Sequence, residues 1–181
     1  MQNPFTLTFG KSPLELVERP LQTMEIVDTF TAETVNQQMF IITGVRGSGK
    51  TVMMTEIARR LREREDWVVI ELNPATDLLQ GMLAKLNSNK VCAAIIKSAK
   101  IDLSFFGFGV AIEGVPPLTD TETAIITILE KLKKQDKRLL ITIDEVTNND
   151  YMKVFAGSFQ IFVRRDLPVF LLATRLYENS D

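Results

Sequence analysis

Four short apolar runs lie along the chain, and each predicts a buried strand. They span residues 39–43, 67–72, 139–143 and 168–173. A strand with one solvated face alternates apolar and polar residues, and these runs do not. Because a fully apolar strand needs cover on both faces, the runs predict a sheet with helices on each side.

The segments between the strands carry apolar residues at helical spacing. The predicted helices span residues 21–30, 50–65, 77–86, 90–100, 125–132 and 151–163. In the first two, the residues predicted to face inward are Leu21, Met24, Val27, Phe30, Val52, Met53, Ile57 and Leu61. Strands that alternate with helices are typical of βαβ units, so the predicted fold class is α/β with a parallel sheet.

The chain has 181 residues, a length that fits one domain over residues 1–181. We predict a helical lead-in at residues 1–36, a core at 37–181 and a small β-hairpin insert at about 101–114. The insert is predicted from IDLSFFGFGVAIE, where apolar residues alternate on both sides of Gly107. We interpret its apolar tip as packing over the sheet edge, and a membrane or partner contact is the alternative.

Composition narrows the classes of function. The net charge is −2, which argues against a broad nucleic-acid surface but leaves a local patch open. The chain has no histidine and only one cysteine, Cys92, so histidine metal sites, Ser-His catalysis and an internal disulfide are excluded. The N-terminus does not look like a secretion signal, and no apolar run approaches the roughly 20 residues of a membrane helix. We therefore expect a cytoplasmic protein without a membrane partner.

The sequence GVRGSGKT, between a predicted strand and a predicted helix, indicates a phosphate-binding loop. It matches G-x-x-x-x-G-K-[ST] at every fixed position, and a chance glycine turn is the alternative. Lys50 is expected to reach the β- and γ-phosphates of a nucleotide, and the Thr51 hydroxyl to bind Mg²⁺. The predicted binding residues are Gly44, Val45, Arg46, Gly47, Ser48, Gly49, Lys50, Thr51 and Val52.

Two acids follow the buried run LLITI. Asp144 and Glu145 come at its carboxyl end, where ligands bind in open α/β sheets. Asp144 is predicted to share the Mg²⁺ with Thr51, and Glu145 to act as general base on the attacking water. A pair that only caps the next turn is the alternative. An Asp followed by Glu resembles the pattern of ATPases that carry their own catalytic glutamate, and this resemblance implies that the last strand lies between the phosphate-loop strand and the acidic strand.

Three pieces, GVRGSGKT, LLITIDEV and LPVFLLATR, together resemble the core of AAA+ and STAND-type P-loop ATPases. The similarity is greatest to the prokaryotic ATP-binding and archaeal-ATPase group, near the origin-recognition-like AAA domains. The resemblance implies ATP as the nucleotide, and no N-K-x-D guanine-reading tetrad is evident. It also implies that Thr174 is a polar sensor, that Arg175 contacts the γ-phosphate and that residues 9–20, including Arg19, lie near adenine.

The resemblance leaves the biological role open. Such families continue into a helical lid, so we expect a core without its lid, and robust turnover is in question. The interpretations are an ATPase that acts on an unknown protein, a nucleotide-dependent switch with little turnover, and a DNA-associated ATPase that the charge does not favour. A homo-oligomer is also open. Arg164 and Arg165 could then supply an arginine finger, or they could simply stabilise a helix C-terminus.

Overall fold

Four parallel strands form the sheet of the protein, for which a computed structural model describes residues 19–177. The strands are β1 (Met39–Gly44), β2 (Trp67–Leu72), β3 (Arg138–Ile143) and β4 (Val169–Leu176). Their order is β1-β4-β3-β2, so the last strand lies between the phosphate-loop strand and the acidic strand, as predicted. This order brings the carboxyl ends of β1, β3 and β4 together at one edge.

Six α-helices cover both faces of the sheet within residues 19–177. They are α1 (Arg19–Thr31), α2 (Lys50–Arg62), α3 (Leu78–Ser88), α4 (Lys90–Ser98), α5 (Thr121–Lys134) and α6 (Asp150–Arg164). Helices α1 and α2 pack on one face, and α3 to α6 pack on the other. On β3, Leu140 lies in the core beneath α1 and α2, and Ile141 lies in the core beneath α3 to α6, so both faces of the strand are buried. The predicted α/β fold is confirmed, and no helix within this range is long and apolar enough to cross a membrane.

The predicted inner faces of α1 and α2 are partly wrong. Val52 is exposed on α2, while Met53, Ile57 and Leu61 are buried as expected. On α1, Phe30 is buried as expected, but Leu21 and Met24 are exposed, and the helix buries Thr23 and Ile26. An isolated apolar residue fits more than one helical face, so the spacing alone does not decide which face packs on the sheet.

The predicted hairpin at 101–114 does not form. The segment is an irregular loop with a 3₁₀ turn at Ser104–Phe106, between α4 and α5. The buried Asp102 carboxylate accepts hydrogen bonds from the Ser104 hydroxyl (2.6 Å), the Ser104 amide (2.9 Å) and the Ile112 amide (2.9 Å). These bonds, first that of the Ser104 hydroxyl, lower the pKa of Asp102. Because a side chain satisfies the amides, the loop needs no strand pairing, and its alternating apolar residues reflect Phe106 and Phe108 packing on the core.

Arg138, the first residue of β3, fixes α1 to the sheet. Its guanidinium donates to the carbonyl oxygens of Phe30 (2.5 Å) and Ala32 (2.8 Å) at the C-terminal end of α1. It also lies over the ring of Phe170, 5.5 Å from the centroid. The planar fork therefore satisfies two carbonyls that the helix leaves free and places a cation at the negative end of the helix dipole.

We expect Arg138→Ala to lower the free energy of unfolding by about 2 kcal/mol, because two charge-assisted hydrogen bonds and one ring contact are lost. Urea denaturation followed by circular dichroism measures the change. Lys134→Ala, at an exposed lysine in the last turn of α5, is the matched control and should change stability by no more than about 0.5 kcal/mol. Equal effects of the two variants would contradict the role of Arg138.

Candidate phosphate-binding site

The loop between β1 and α2 has the backbone shape of an anion cradle. Gly47 has φ 78° and Gly49 has φ 80°, a region that other residues adopt only at a cost. Gly49 is the N-cap of α2 and carries no side-chain acceptor, so the first amides of the helix stay available. Amides at a helix N-terminus, together with the helix dipole, bind phosphate well.

Gly44, at the end of β1, allows the loop to fold back on itself. A Cβ atom there would lie 2.6 Å from the Ser48 Oγ atom, closer than any real contact allows. The Ser48 amide donates to the Val45 carbonyl at 3.1 Å, which closes the turn. The first fixed glycine of GVRGSGKT is therefore favoured by space, since a larger residue would require the Ser48 side chain to move, whereas Gly47 and Gly49 are favoured by their backbone angles.

Lys50 holds its charge inside the loop. The residue is 8% exposed, and its Nζ atom donates to the Val45 carbonyl at 2.8 Å and to Ser48 Oγ at 3.5 Å. Both acceptors are neutral, and an ammonium group binds an anionic oxygen more strongly than a neutral one. A phosphate group in the loop would thus be a better partner for Lys50 than the ones it has.

Asp144 joins three elements of the fold. Its carboxylate accepts from the Thr51 hydroxyl of α2 at 3.2 and 3.1 Å, and from the Thr174 hydroxyl of β4 at 2.5 Å. Asp144 itself directly follows β3. The predicted pair Thr51 and Asp144 therefore lies together, at the carboxyl edge of the sheet and beside the phosphate loop.

The chain turns sharply at Glu145, and Thr174 fixes the turn. Glu145 has φ 55°, a left-handed conformation that is unfavourable for a residue with a side chain. Its amide donates to Thr174 Oγ1 at 2.8 Å, and the next amide, of Val146, donates to the Thr174 carbonyl at 2.9 Å. The resemblance named Thr174 only as a sensor. The sequence did not predict its contacts with this backbone turn. The one indication of them is a polar threonine at the end of an otherwise apolar strand.

The other predicted site residues differ in exposure. Val45 and Arg46 are exposed within the loop, and Val52 is exposed in the first turn of α2. Arg175 is half-buried on β4, next to Thr174, and is paired in register with Thr43 of β1. The segment 9–20, predicted near adenine, falls outside the residues whose side chains the structure describes.

The oxygen atoms at this edge suit a cation that arrives with a nucleotide. Within residues 19–177, no group of three or more His, Cys, Asp or Glu side chains could hold a metal ion by itself. Mg²⁺ commonly takes one or two protein oxygens and completes its shell with phosphate oxygens and water. The Thr51 hydroxyl and the Asp144 carboxylate, 3.1 to 3.2 Å apart, fit that arrangement.

A family model agrees with this site. The family of ATPase domains found predominantly in Archaea matches residues 22–162, most of the chain. The chain belongs to this family. The archaeal-ATPase resemblance drawn from GVRGSGKT and LLITIDEV is therefore confirmed.

Solved structures share the fold of this ATPase domain. Cdc6p from Pyrobaculum aerophilum has a TM-score of 0.52 and 14% identity, over 98% of this chain and 43% of that one. ORC1 from Aeropyrum pernix, solved in complex with DNA, has a TM-score of 0.50 and 15% identity, over 92% of this chain and 40% of that one. The ATPase domain thus spans less than half the length of either structure. A comparison with curated proteins gives no match.

Proposed function

We propose that this ATPase domain binds MgATP at the carboxyl edge of the sheet and hydrolyses it to ADP and phosphate. The observation that carries the proposal is the convergence on Asp144 of the Thr51 and Thr174 hydroxyls, beside a complete phosphate loop. A structural acid that merely capped the next turn would have no reason to bond the first helix after the loop. The convergence therefore favours a nucleotide site over a chance glycine turn.

Binding rests on the loop backbone and on Lys50. The amides from Gly44 to Thr51 hold the β- and γ-phosphates, and Lys50 exchanges its neutral acceptors for phosphate oxygens. Thr51 and Asp144 would hold Mg²⁺, which neutralises phosphate charge when bound. Arg175 is proposed to contact the γ-phosphate, on the basis of its position after Thr174 and the family resemblance.

Glu145 is proposed to activate the attacking water. Its carboxylate accepts a proton as the water oxygen bonds to the γ-phosphorus, and the bond from that phosphorus to the bridging oxygen breaks to leave ADP. The left-handed backbone conformation of Glu145 fixes the position of its Cβ atom, and the hydrogen bond from the Glu145 amide to Thr174 stabilises that conformation. Placement and charge stabilisation supply most of the catalysis in such reactions.

A nucleotide-dependent switch is the second candidate function. Thr174 contacts Asp144 through its hydroxyl and the Glu145–Val146 turn through its hydroxyl and carbonyl, so a change at the cation site would be transmitted to that turn. Such coupling can change a partner surface with little turnover. A DNA-associated role has weaker support, since a net charge of −2 provides no broad basic surface.

Calorimetry with ATP, in the presence and absence of Mg²⁺, tests the proposal together with phosphate release under saturating MgATP. We expect Mg²⁺-dependent binding and measurable turnover. GTP in the same titration tests the choice of base, which the family supports and the site geometry does not address. Binding without turnover would favour the switch, and no binding of either nucleotide would overturn the proposal.

Thr174→Val should lower kcat about tenfold while the dissociation constant of MgATP stays within about threefold. Valine keeps the shape of threonine in a fully buried position, but it removes the hydroxyl that bonds Asp144 and the Glu145 amide. Steady-state kinetics and calorimetry separate the two effects. Thr174→Ser restores the hydroxyl and should regain most of kcat, whereas equal losses in both variants would indicate a packing role only.

A further inference from the structure

The outer face of α6 has apolar residues at its centre and a charged residue at each end, and most of these residues are exposed. The α6 outer face is defined here as Asp150, Val154, Gly157, Ile161 and Arg164, spaced alternately four and three residues apart. On a helix with 3.6 residues per turn, this spacing places all five along one stripe that drifts by about 20° every seven residues.

A different stripe of α6 packs on the sheet. Its buried residues are Met152, Phe155, Ser158, Phe159 and Phe162. The Ser158 hydroxyl also donates to Glu122 of α5 at 2.8 Å, which fixes the helix on that side. The outer face is thus left toward solvent: Val154 is 60% exposed, Gly157 is exposed, and Ile161 is only partly buried against the core.

Gly157 is the central residue of the stripe, and the protein's own packing does not explain it. Glycine is the poorest helix former after proline, so an exposed glycine in mid-helix weakens α6. A Cβ atom at this position would meet nothing within 4 Å. The missing side chain therefore leaves open space above the helix, where a second helix could approach closely.

The charges at the two ends of the stripe are opposite and equally distant from Gly157. Asp150 precedes Gly157 by seven residues and Arg164 follows it by seven, which is about 10 Å of helix in each direction. The Asp150 side chain is fully exposed, and it makes a long ion pair of 3.9 Å with Lys153. A second α6 related by a two-fold axis through Gly157 would place its Arg164 beside Asp150 at both ends.

We propose that the α6 outer face is a dimer interface, and that its occupant is the α6 of a second copy of this chain, packed antiparallel with the two-fold axis at Gly157. The two-fold also brings Val154 of one helix beside Ile161 of the other. A parallel arrangement would place Asp150 against Asp150, which like charges disfavour. The face is therefore complementary to itself in charge, and the open space at Gly157 lies on the axis.

The dimer is expected to be weak. One helix pair buries less area than a standard protein interface, so a Kd on the order of 0.1 mM is reasonable. Sedimentation equilibrium of the whole chain up to about 1 mM should show a monomer–dimer equilibrium. A chain that stays monomeric over this range overturns the proposal, and so does a dimer that Gly157→Gln leaves unchanged, since that side chain would fill the space between the helices.

A cysteine at the axis gives the sharpest geometric test. Two copies of Gly157→Cys should form an intermolecular disulfide under mild oxidation, because a residue on a two-fold axis meets its own copy. Burial raises the pKa of the native Cys92 thiol to about 12, so Cys92 stays unreactive. Thr55→Cys, at an exposed position of α2 on the other face of the sheet, is the matched control and should remain monomeric.

Charge reversal tests the orientation. Asp150→Arg should weaken association about tenfold, and Asp150→Arg combined with Arg164→Asp should restore it. Asp150, Gly157 and Arg164 are exposed, but reversing the charges at the two ends of α6 opposes the helix dipole and lowers the stability of the helix at each end. Thermal unfolding of each variant measures this cost and separates it from a loss of association. A double variant that associates no better than the single one would overturn the antiparallel arrangement.

Discussion

Lys50→Ala should weaken MgATP binding about 100-fold or more in calorimetry, which is the largest effect on binding expected at this site. Lys50 brings a buried positive charge to the floor of the phosphate loop, where its Nζ atom lies 2.8 Å from the Val45 carbonyl. Without the lysine, the phosphate oxygens would keep the loop amides and the helix dipole, besides the Mg²⁺ proposed to lie at Thr51 and Asp144. The amides and the dipole carry partial charges, so they do not replace the full charge of Lys50.

The loop should remain folded in this variant. Gly44, Gly47 and Gly49 set its backbone, and the Ser48 amide bond to Val45 does not involve the lysine side chain. Lys134→Ala, already the stability control for Arg138, is the matched control here and should bind MgATP like the unmodified chain. Thermal unfolding of each variant without nucleotide separates a binding loss from a folding loss.

Unchanged binding by Lys50→Ala would contradict the phosphate-loop assignment, because a nucleotide held elsewhere would not depend on this charge. Loss of binding together with loss of folding would point instead to the buried contacts of Lys50 with the loop. The expected result is a folded variant with greatly weakened binding, which is the combination expected if the phosphate loop holds the nucleotide.

The strands and the loop could be predicted from sequence because their determinants are local. The run WVVIEL, at residues 67–72, is apolar except for Glu71. In β2 the structure buries Val68, Ile70 and Leu72 on one face and Trp67 on the other, while Glu71 is exposed. The loop sequence also predicts the loop conformation, since Gly47 and Gly49 have the positive φ angles and the helix begins at Lys50. Even the strand order followed from the residue pair at 144–145 through the resemblance.

Contacts across the fold could not be predicted in the same way. The bonds from Thr174 to the Glu145–Val146 turn join residues that are distant in sequence, and they exist only because β4 lies beside β3. The hairpin prediction failed for a related reason. Alternating apolar residues indicated strands, but the Asp102 carboxylate took the amides of Ser104 and Ile112 that strand pairing would have used. A polar side chain that is buried by tertiary packing leaves little local signal.

Glu145→Gln should reduce turnover by about 10²- to 10⁴-fold, while the dissociation constant of MgATP changes by no more than about threefold. Glutamine has the shape of glutamate, so the left-handed turn and the Glu145 amide bond to Thr174 should persist. What is lost is an acceptor for the proton of the attacking water. Phosphate release under saturating MgATP measures the effect, and calorimetry confirms that the variant still binds.

Glu113→Gln, at an exposed glutamate in the loop before α5, is the matched control and should turn over ATP like the unmodified chain. Equal turnover in Glu145→Gln and Glu113→Gln would remove Glu145 from the reaction and leave Asp144 as the one acid that acts at the site. A chain that binds MgATP and shows no turnover before any substitution would support the switch, since the acid would then be in place without a reaction to promote. Turnover by the unmodified chain therefore tests whether the domain is an ATPase, and the comparison of the two variants tests whether Glu145 is its general base.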